Sequence, residues 1–288
     1  SKLAGEQMDK GINLISNMIN VKPEEIIIGG STTQNIYVLA NAFKKLLKKN
    51  DEIIITNQDH EANIGSWYRL KDLGFKVKIW KMNIETGELE ISELKKLLNK
   101  KTKLVCVTHC SNIIGSINDI KKITKLVHSY GSYIFADGVS YAPHGFPDLK
   151  KLNVDFYSFS LYKTFGPHLG LLYIKKKILK KLPNQNHNFL SGKIPYTLNP
   201  GGPNHEELAS CIGIAEYFDD LYNYHFKNKN IPLNKKIQFT NQLISQHEEK
   251  IGNILLKFLN SNKNIKLLGY KTISNKNRAP TFSFIHKK

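Results

Sequence analysis

Apolar and polar positions follow two different periods along this chain. Short apolar runs, which are typical of buried strands, recur between stretches whose apolar positions lie three or four residues apart, as in a helix. The runs predict strands over residues 26–28, 51–56, 75–80, 104–108, 133–137, 155–160 and 170–174. Because helical patterns separate most of these strands, we predict an α/β fold with a mostly parallel sheet covered by helices on both faces.

Longer helices are predicted on either side of this alternating region. An N-terminal helix covers about Leu3 to Met18, and two helices near the other end cover His205–Phe226 and Lys235–Asn260. The stretch between them, residues 184–203, is rich in Asn, Pro and Gly and is predicted to be a loop. Two short apolar runs, 265–268 and 281–285, predict further strands.

These elements suggest three parts. We predict an N-terminal helix over residues 1–20, a large domain over 21–230, and the start of a small C-terminal α+β domain over 231–288.

The composition is that of an ordinary globular protein. Of the 288 residues, 41% are hydrophobic and 23% are charged, which is enough to bury a large core. No run of eighteen apolar residues occurs, and the first residues lack the charged-then-apolar layout of a signal peptide. We therefore expect a cytoplasmic protein without a membrane partner.

The formal net charge of +18 would suit nucleic-acid binding, because lysines that neutralise phosphates release counterions. The lysines nevertheless occur as short pairs spread along the chain instead of one basic arm. Most of these pairs fit solvated helix faces, so we expect no specific nucleic-acid partner.

The three cysteines are too few and too irregularly spaced for a disulfide framework or a zinc site. Cys106 falls inside an apolar strand, where a buried and inert thiol is expected. Cys110 lies at the exit of that strand, and Cys211 lies in a predicted helix. We therefore expect no bound metal.

Two of the predicted strands lead to groups that can act together. The strand Tyr133–Asp137 closes on a carboxylate, and Lys163 follows the strand 155–160 before a Thr-Phe-Gly-Pro turn that cannot continue as a helix. Ligands of α/β proteins gather at the carboxyl ends of strands, so both groups could face one cleft. Pyridoxal phosphate uses both, since a lysine amine holds it covalently and a carboxylate keeps its pyridine nitrogen protonated. By spacing alone, a strand-end cap at Asp137 and a surface lysine at Lys163 stay open as alternatives.

A second candidate feature follows the first strand. Ser31, Thr32 and Thr33 lie between that strand and a helix, where free backbone amides and the helix dipole favour a phosphate. Ser and Thr also cap helices that bind nothing, so this pattern alone is weak.

The segment FADGVSYAPHGFPDLKKLNVDFYSFSLYKTFGPHLGLLY, residues 135–173, resembles the cofactor-lysine region of the class V aminotransferase family. That family includes the cysteine desulfurases, and the resemblance extends over nearly the whole chain. It implies the fold of fold-type-I pyridoxal-phosphate transferases, pyridoxal 5'-phosphate as cofactor, an amino-acid substrate and a homodimer.

The resemblance also implies roles for single residues. Lys163 would hold the cofactor and later move protons at the substrate α-carbon, and Asp137 would pair with the pyridine nitrogen. His60, in the segment DHEANIGSW, would stack on the pyridine ring and take part in proton transfer. The other implied contacts are Asn112 near the phenolic oxygen, and Ser31, Thr32, Thr33 and Ser160 at the phosphate.

Three positions depart from the pattern of the desulfurases. Ser140, which we keep as a candidate cofactor contact, stands where those enzymes commonly have glutamine, and Tyr162 stands where they often have histidine. Gly202 replaces a threonine whose hydroxyl reaches the cofactor phosphate of the partner subunit.

Measured against the resemblance, we expect an N-terminal segment and most of the C-terminal domain to be missing from this chain. The expected absences include the arginine that clamps the substrate carboxylate, for which Arg278 lies too early, and the loop with the nucleophilic cysteine of desulfurases. A pyridoxal-phosphate enzyme that acts on an amino acid, in the manner of a cysteine desulfurase, is the first hypothesis for the function. A pyridoxal-phosphate epimerase or lyase, and a catalytically impaired remnant that serves as a binding or scaffold protein, are the alternatives.

Overall fold

The computed structural model of the protein describes residues 2–287. After α1 (Lys2–Met18), the alternating region consists of β1 (Ile26–Gly29), α2 (Thr32–Phe43), β2 (Glu52–Thr56), α3 (Glu61–Tyr68), β3 (Lys76–Trp80), α4 (Ile91–Leu97), β4 (Thr102–Thr108), α5 (Ile120–Ser129), β5 (Tyr133–Asp137), α6 (Leu149–Leu152), β6 (Phe156–Ser160), β7 (Gly170–Ile174) and α7 (Lys176–Leu179). The C-terminal part consists of α8 (His205–Ser210), α9 (Ile212–His225), α10 (Leu233–Ser261), β8 (Ile265–Leu267) and β9 (Phe284–His286). Each strand predicted from an apolar run overlaps an observed strand.

The central sheet has seven strands in the order β1-β7-β6-β5-β4-β2-β3. The strands from β6 to β3 pair in parallel, whereas β7 runs antiparallel to both of its neighbours, β1 and β6. The predicted mostly parallel α/β sheet is therefore confirmed, and the reversed strand β7 is an addition. Its reversal places Gly170, the first residue of β7, opposite both Gly29 and Ser160. The ends of β1 and β6 and the start of β7 thus meet at one edge of the sheet.

Side chains of each strand point alternately to the two faces of the sheet. Ile26 and Ile28 pack into the core on one face, and Ile27 packs into the core on the other. On the face of Ile27, the ring of Phe43 on α2 meets the rings of Trp67 and Phe156 edge-on at centroid distances of 5.9 Å and 5.8 Å. Such aromatic pairs contribute about 0.5–1.5 kcal/mol each beyond burial, and they hold α2 and α3 against the sheet.

The helix predicted over residues 205–226 is interrupted at Cys211. The Ser210 hydroxyl and the Cys211 thiol both donate to the carbonyl oxygen of Glu207, at 2.8 Å and 3.4 Å. Side chains that bond back to a carbonyl of the preceding turn compete with the helical ladder and bend it. The two resulting helices pack against α1. Gly11 of α1 lies so close to the Leu208 carbonyl that a side chain at Gly11 would collide with it.

The other C-terminal predictions hold in part. The loop over residues 184–203 contains two short 3-10 turns, Asn188–Leu190 and Tyr196–Leu198. The last strand begins later than predicted, at Phe284, and pairs antiparallel with β8. The division into parts at residues 20 and 230 stays a prediction. Among residues 2–287, no helix combines the length and the apolar character that a membrane crossing requires.

Candidate active site

A cavity opens at the edge of the sheet where the parallel strands end. Its lining includes eight of the residues predicted from the sequence, namely Thr32, Thr33, His60, Asn112, Asp137, Ser140, Ser160 and Lys163. Ser31 is the one predicted cofactor contact outside this lining; it is the N-cap of α2, where its hydroxyl accepts from the Gln34 amide at 3.1 Å. The carboxyl ends of β2, β4, β5 and β6 supply most of the lining, as the strand-end rule predicts.

The N-terminus of α2 forms one end of the cavity. The hydroxyls of Thr32 and Ser160 are hydrogen-bonded at 2.8 Å, which ties the start of α2 to the end of β6. The side-chain Nδ2 of Asn35 donates to the Gly170 carbonyl at 2.8 Å and ties the same helix to β7. Free amides of the first helical turn beside two hydroxyl groups are a suitable cradle for a phosphate.

Gly170 is the position where this cradle leaves no space for a side chain. A Cβ atom at Gly170 would collide with the backbone of Ser31 and Thr32. Because these are backbone atoms, no side-chain rotation relieves the collision. We expect Gly170→Ala to lower the free energy of unfolding by about 1–3 kcal/mol and to weaken cofactor binding, as measured by urea unfolding and by titration with pyridoxal phosphate.

The matched control for this prediction is Gly213→Ala. Gly213 is exposed on α9, and a Cβ atom there would meet no atom within 4 Å. Alanine at such a helical site stabilises by about 0.5–1 kcal/mol, so this variant should gain stability and bind the cofactor unchanged. Equal stability of Gly170→Ala and the parent would contradict the proposed packing at the cradle.

Asp137 is buried at the end of β5 with one of its two carboxylate oxygens unpartnered. Its Oδ1 accepts from the Val139 amide at 2.8 Å, whereas its Oδ2 has no hydrogen-bond partner among the described residues. Burial raises the pKa of Asp137 to about 6, although the Val139 amide and the nearby His60 and Lys163 oppose this rise. A buried carboxylate oxygen without a donor is costly. A protonated ring nitrogen in the cavity would supply both the missing donor and a compensating charge, so this site fits pyridoxal phosphate.

Lys163 follows β6 at the end of a 3-10 turn, Leu161–Lys163. The turn is sharp because Phe165, two residues later, has a φ of 66°, in the left-handed region. The Lys163 side chain is exposed and lines the cavity, with Nζ 6.0 Å from the centroid of the Tyr162 ring. The ring of Tyr162 in turn stacks on His168 at 4.7 Å. The amine is therefore accessible to a ligand of the cavity.

His60 is the N-cap of α3, and its side chain has a definite orientation there. Its Nδ1 accepts a hydrogen bond from the Ala62 amide at 3.1 Å. In the neutral imidazole, this bond leaves the ring proton on Nε2. The ring lines the cavity and is free on its exposed side to cover a ligand.

Sequence reasoning missed Asp59, a second acid of the same cavity. Its Oδ1 accepts from the His60 amide at 2.8 Å and its Oδ2 accepts from the Asn63 side chain at 2.6 Å. Burial raises the pKa of Asp59 well above its ordinary value, and the charge of Asp137 raises it further. The available signal was an acid directly before the candidate histidine, in the segment that follows a predicted strand.

Two residues considered in the sequence, Gly202 and Arg278, lie outside the cavity lining. Gly202 is exposed, and a Cβ atom there would meet nothing within 4 Å. Arg278 is 1% exposed, and its guanidinium donates to the backbone carbonyls of Leu268, Tyr270 and Thr281. Its donors are thus engaged by backbone carbonyl oxygens.

The three cysteines are all buried and unbridged. Burial raises the pKa of the Cys110 and Cys211 thiols to about 12 each, and it raises that of Cys106 as well. A thiolate is the nucleophilic form of cysteine, so no cysteine described here is prepared to attack a substrate.

Comparison with known proteins relates the whole chain to one family. A family model described as aminotransferase class-V matches residues 1–288. The aminotransferase-like protein FGM3 of Gibberella zeae is 37% identical over 280 residues, which are 96% of this chain and 65% of that protein. A cysteine desulfurase of Wigglesworthia glossinidia brevipalpis is 33% identical over 271 residues, which are 88% of this chain and 63% of that protein. The chain therefore spans about two thirds of the length of these relatives.

Solved structures share the fold. The cysteine desulfurase CsdA from Escherichia coli matches with a TM-score of 0.80 at 19% identity, over 99% of this chain and 69% of that one. The cysteine desulfurase from Thermococcus onnurineus NA1 matches with a TM-score of 0.76 at 22% identity, over the same shares of the two chains.

Proposed function

The chain belongs to the aminotransferase class-V family, and on this premise we propose that it is a pyridoxal-phosphate enzyme that acts on an amino acid in the manner of a cysteine desulfurase. Pyridoxal phosphate is the cofactor of this family. The observation that carries the proposal is the unpartnered Oδ2 of the buried Asp137, in a cavity that also holds an accessible lysine amine and a helix N-terminus.

Different residues of the cavity would bind different parts of the cofactor. Thr32, Ser160 and the first amides of α2 would bind the phosphate, with Thr33 at the rim and Ser31 holding the helix start in place. Asp137 would accept the hydrogen bond of the protonated pyridine nitrogen, and His60 would cover one face of the ring. Asn112 and Ser140 lie on the cavity wall and could reach the phenolic oxygen.

Lys163 would have two tasks. Its amine would hold the cofactor covalently, and as a free amine it would accept and return a proton at the substrate α-carbon. Bound pyridoxal phosphate supplies the electron-withdrawing ring that stabilises negative charge at that carbon. The Asp137 carboxylate supports this chemistry by keeping the ring nitrogen protonated.

For cysteine as substrate, the bond that breaks lies between the β-carbon and sulfur. The sulfur passes to an acceptor thiol, which becomes a persulfide, and the remaining carbon skeleton gains a proton and leaves as alanine. The three cysteines are buried, and none of them lines the cavity. We therefore propose that the acceptor thiol is none of these three. An added small thiol can take that part in an assay.

In the assay, L-cysteine and dithiothreitol are added to protein loaded with pyridoxal phosphate, and the products are measured. We expect alanine and sulfide in equal amounts, measured by amino-acid analysis and by a colorimetric sulfide test, and less sulfide when dithiothreitol is omitted, because the thiol of cysteine itself is then the acceptor. Pyruvate and ammonia would instead identify a lyase, and D-cysteine without sulfide would identify an epimerase. Either product would overturn the desulfurase assignment while leaving the cofactor assignment intact.

The assembly and the location are also proposals. We propose a homodimer that covers the exposed aromatic pair of Phe165 and Tyr217, which lie next to the turn that carries Lys163 with their rings 5.1 Å apart. Sedimentation equilibrium would test the proposed homodimer by measuring the mass of the protein in solution. Three unbridged cysteines support a reducing compartment, and we propose the cytoplasm.

A further inference from the structure

A second concave site, which we call the basic groove, lies between the helices α5 and α6. Its volume is about 760 Å³, and the residues that matter here are Lys121, Lys122, Thr124, Lys125, His128 and Lys151. None of them lines the cavity that holds Lys163 and Asp137. The proposed function therefore leaves this groove unused.

One face of α5 presents most of these side chains. Lys121, Thr124, Lys125 and His128 are spaced by three, one and three residues, which places them on the same face of a helix. Lys121, Lys122 and Lys125 are exposed and form no ion pair among residues 2–287. Their charges are therefore available to a ligand.

The other basic side chains of the groove have acidic partners. His128 contacts the Asp155 carboxylate at 2.8 Å, and Lys151 pairs with Asp148 at 3.2 Å. The acid of the lining, Asp119, is the N-cap of α5 and accepts from the Lys122 amide at 3.0 Å. With three unpaired lysines against this one acid, the groove carries a net positive charge.

A buried hydroxyl supplies the second and independent observation. Thr124 is 2% exposed, and its Oγ1 has no hydrogen-bond partner among the described residues. Within residues 2–287, five buried side-chain atoms lack a partner in this way, and two of them line a cavity: Asp137 Oδ2 in the candidate active site and Thr124 Oγ1 in the basic groove. An unsatisfied buried polar group costs stability, so a ligand that satisfies it gains affinity.

We propose that the basic groove binds a small anion with several negative charges, of the phosphate or polyphosphate class. The volume falls in the range of about 300–1,000 Å³ that is typical of small-ligand sites. The lysines would neutralise the anion, and the Thr124 hydroxyl would donate to one of its oxygens. The groove lining contains no Phe, Tyr or Trp ring on which a nucleic-acid base could stack, and its one imidazole, that of His128, is held by Asp155, which favours a small anion over a single strand.

The sharpest test is Thr124→Val, which removes the hydroxyl and keeps the shape of the side chain. Loss of an unsatisfied buried hydroxyl does not cost stability, so the melting temperature should stay equal or rise. Binding of inorganic tripolyphosphate, measured by isothermal titration calorimetry at low salt, should weaken about tenfold because one hydrogen bond to a charged group is lost. Inorganic phosphate and pyrophosphate, titrated in parallel, identify the size of anion preferred.

A charge-matched pair of variants separates the groove from the overall charge of the protein. Lys121→Gln with Lys125→Gln removes two charges from the groove, and Lys48→Gln with Lys49→Gln removes two from exposed positions elsewhere. The first pair should weaken tripolyphosphate binding about five- to tenfold and the second less than about twofold, at moderate ionic strength.

Three results would overturn the proposal. They are an absence of tripolyphosphate binding by the parent, equal affinity of the parent and Thr124→Val, and equal loss in the two double variants. Tight binding of RNA or duplex DNA that depends on Lys121 and Lys125 but not on Thr124 would assign the groove to nucleic acid instead. The titrations use protein loaded with pyridoxal phosphate, because the phosphate cradle at the start of α2 would otherwise offer tripolyphosphate a second site.

Discussion

Replacing Lys163 by alanine is expected to abolish the covalent retention of pyridoxal phosphate. Lys163 is the lysine of the cavity lining, and its amine is accessible there. In the parent, added pyridoxal phosphate should give a visible absorbance band, and borohydride should then fix the cofactor to the protein so that it survives denaturation and filtration. Turnover should fall by at least about 10²–10⁴-fold in the variant, because the group that moves the α-proton is also removed.

Two controls make this result specific. Lys163→Arg keeps the positive charge but offers no amine for the covalent bond, so it should also lose retention while binding the cofactor reversibly. Lys177→Ala removes an exposed lysine outside the cavity and should behave like the parent. Mass spectrometry of the reduced protein should locate the added mass on the peptide that contains Lys163. Covalent retention at another lysine would refute the assignment.

Asp137→Asn is expected to have opposite effects on activity and on stability. Loss of the carboxylate that faces the ring nitrogen should lower turnover by about 10²–10³-fold, the usual effect of removing one preorganised charge partner. The cofactor-free variant should nevertheless be more stable than the cofactor-free parent at pH 8. The reason is that the parent buries an ionised carboxylate whose Oδ2 has no partner.

The pH dependence gives the sign of the stability effect. Burial raises the pKa of Asp137 from 3.8 to about 6 in the folded protein, so the folded state holds its proton more tightly than the unfolded chain does. An acid shifted in this direction costs folding free energy above pH 6, and the cost disappears as the pH falls toward 4. Removing it should raise the free energy of unfolding by roughly 2–3 kcal/mol at pH 8 and by little at pH 4.

Urea unfolding of both proteins at pH 4, 6 and 8, without cofactor, measures this difference. Asp220→Asn, at an exposed acid of α9, should change neither stability nor turnover at any of these pH values. A stability gain for Asp137→Asn that does not depend on pH would contradict the ionisation argument. Unchanged turnover would remove Asp137 from the proposed site.

The strands of the alternating region could be predicted because their signal is local. An apolar run such as Ile53-Ile54-Ile55 must be buried on both faces, and all three residues are at most 2% exposed. The interruption at Cys211 was not predictable in this way, because it depends on whether Ser210 and Cys211 bond back to one carbonyl. The apolar spacing of the helix is the same with and without that interruption.

The candidate site was predictable where a residue lies at the end of a strand or in the segment that follows it. Asp137 is the last residue of β5, His60 lies in the segment after β2, and the carboxyl ends of neighbouring parallel strands lie at one edge of the sheet. The role of Asp59 was not predictable, because its raised pKa depends first on burial and then on the charge of Asp137 across the strand β4 that lies between β2 and β5. Whether two acids share one cavity is a question of distance in space.

Local order along the chain therefore determined which elements form and which strand ends carry an acid, an amine and hydroxyl groups. Tertiary structure alone decided the direction of β7, which places Gly170 against the backbone of Ser31 and Thr32, and the joining of α5 and α6 into a basic groove. The physical reason is the range of the forces involved. Hydrophobic period and capping act over a few neighbouring residues, whereas desolvation, orphaned polar atoms and charge coupling depend on every group that the fold brings within a few ångströms.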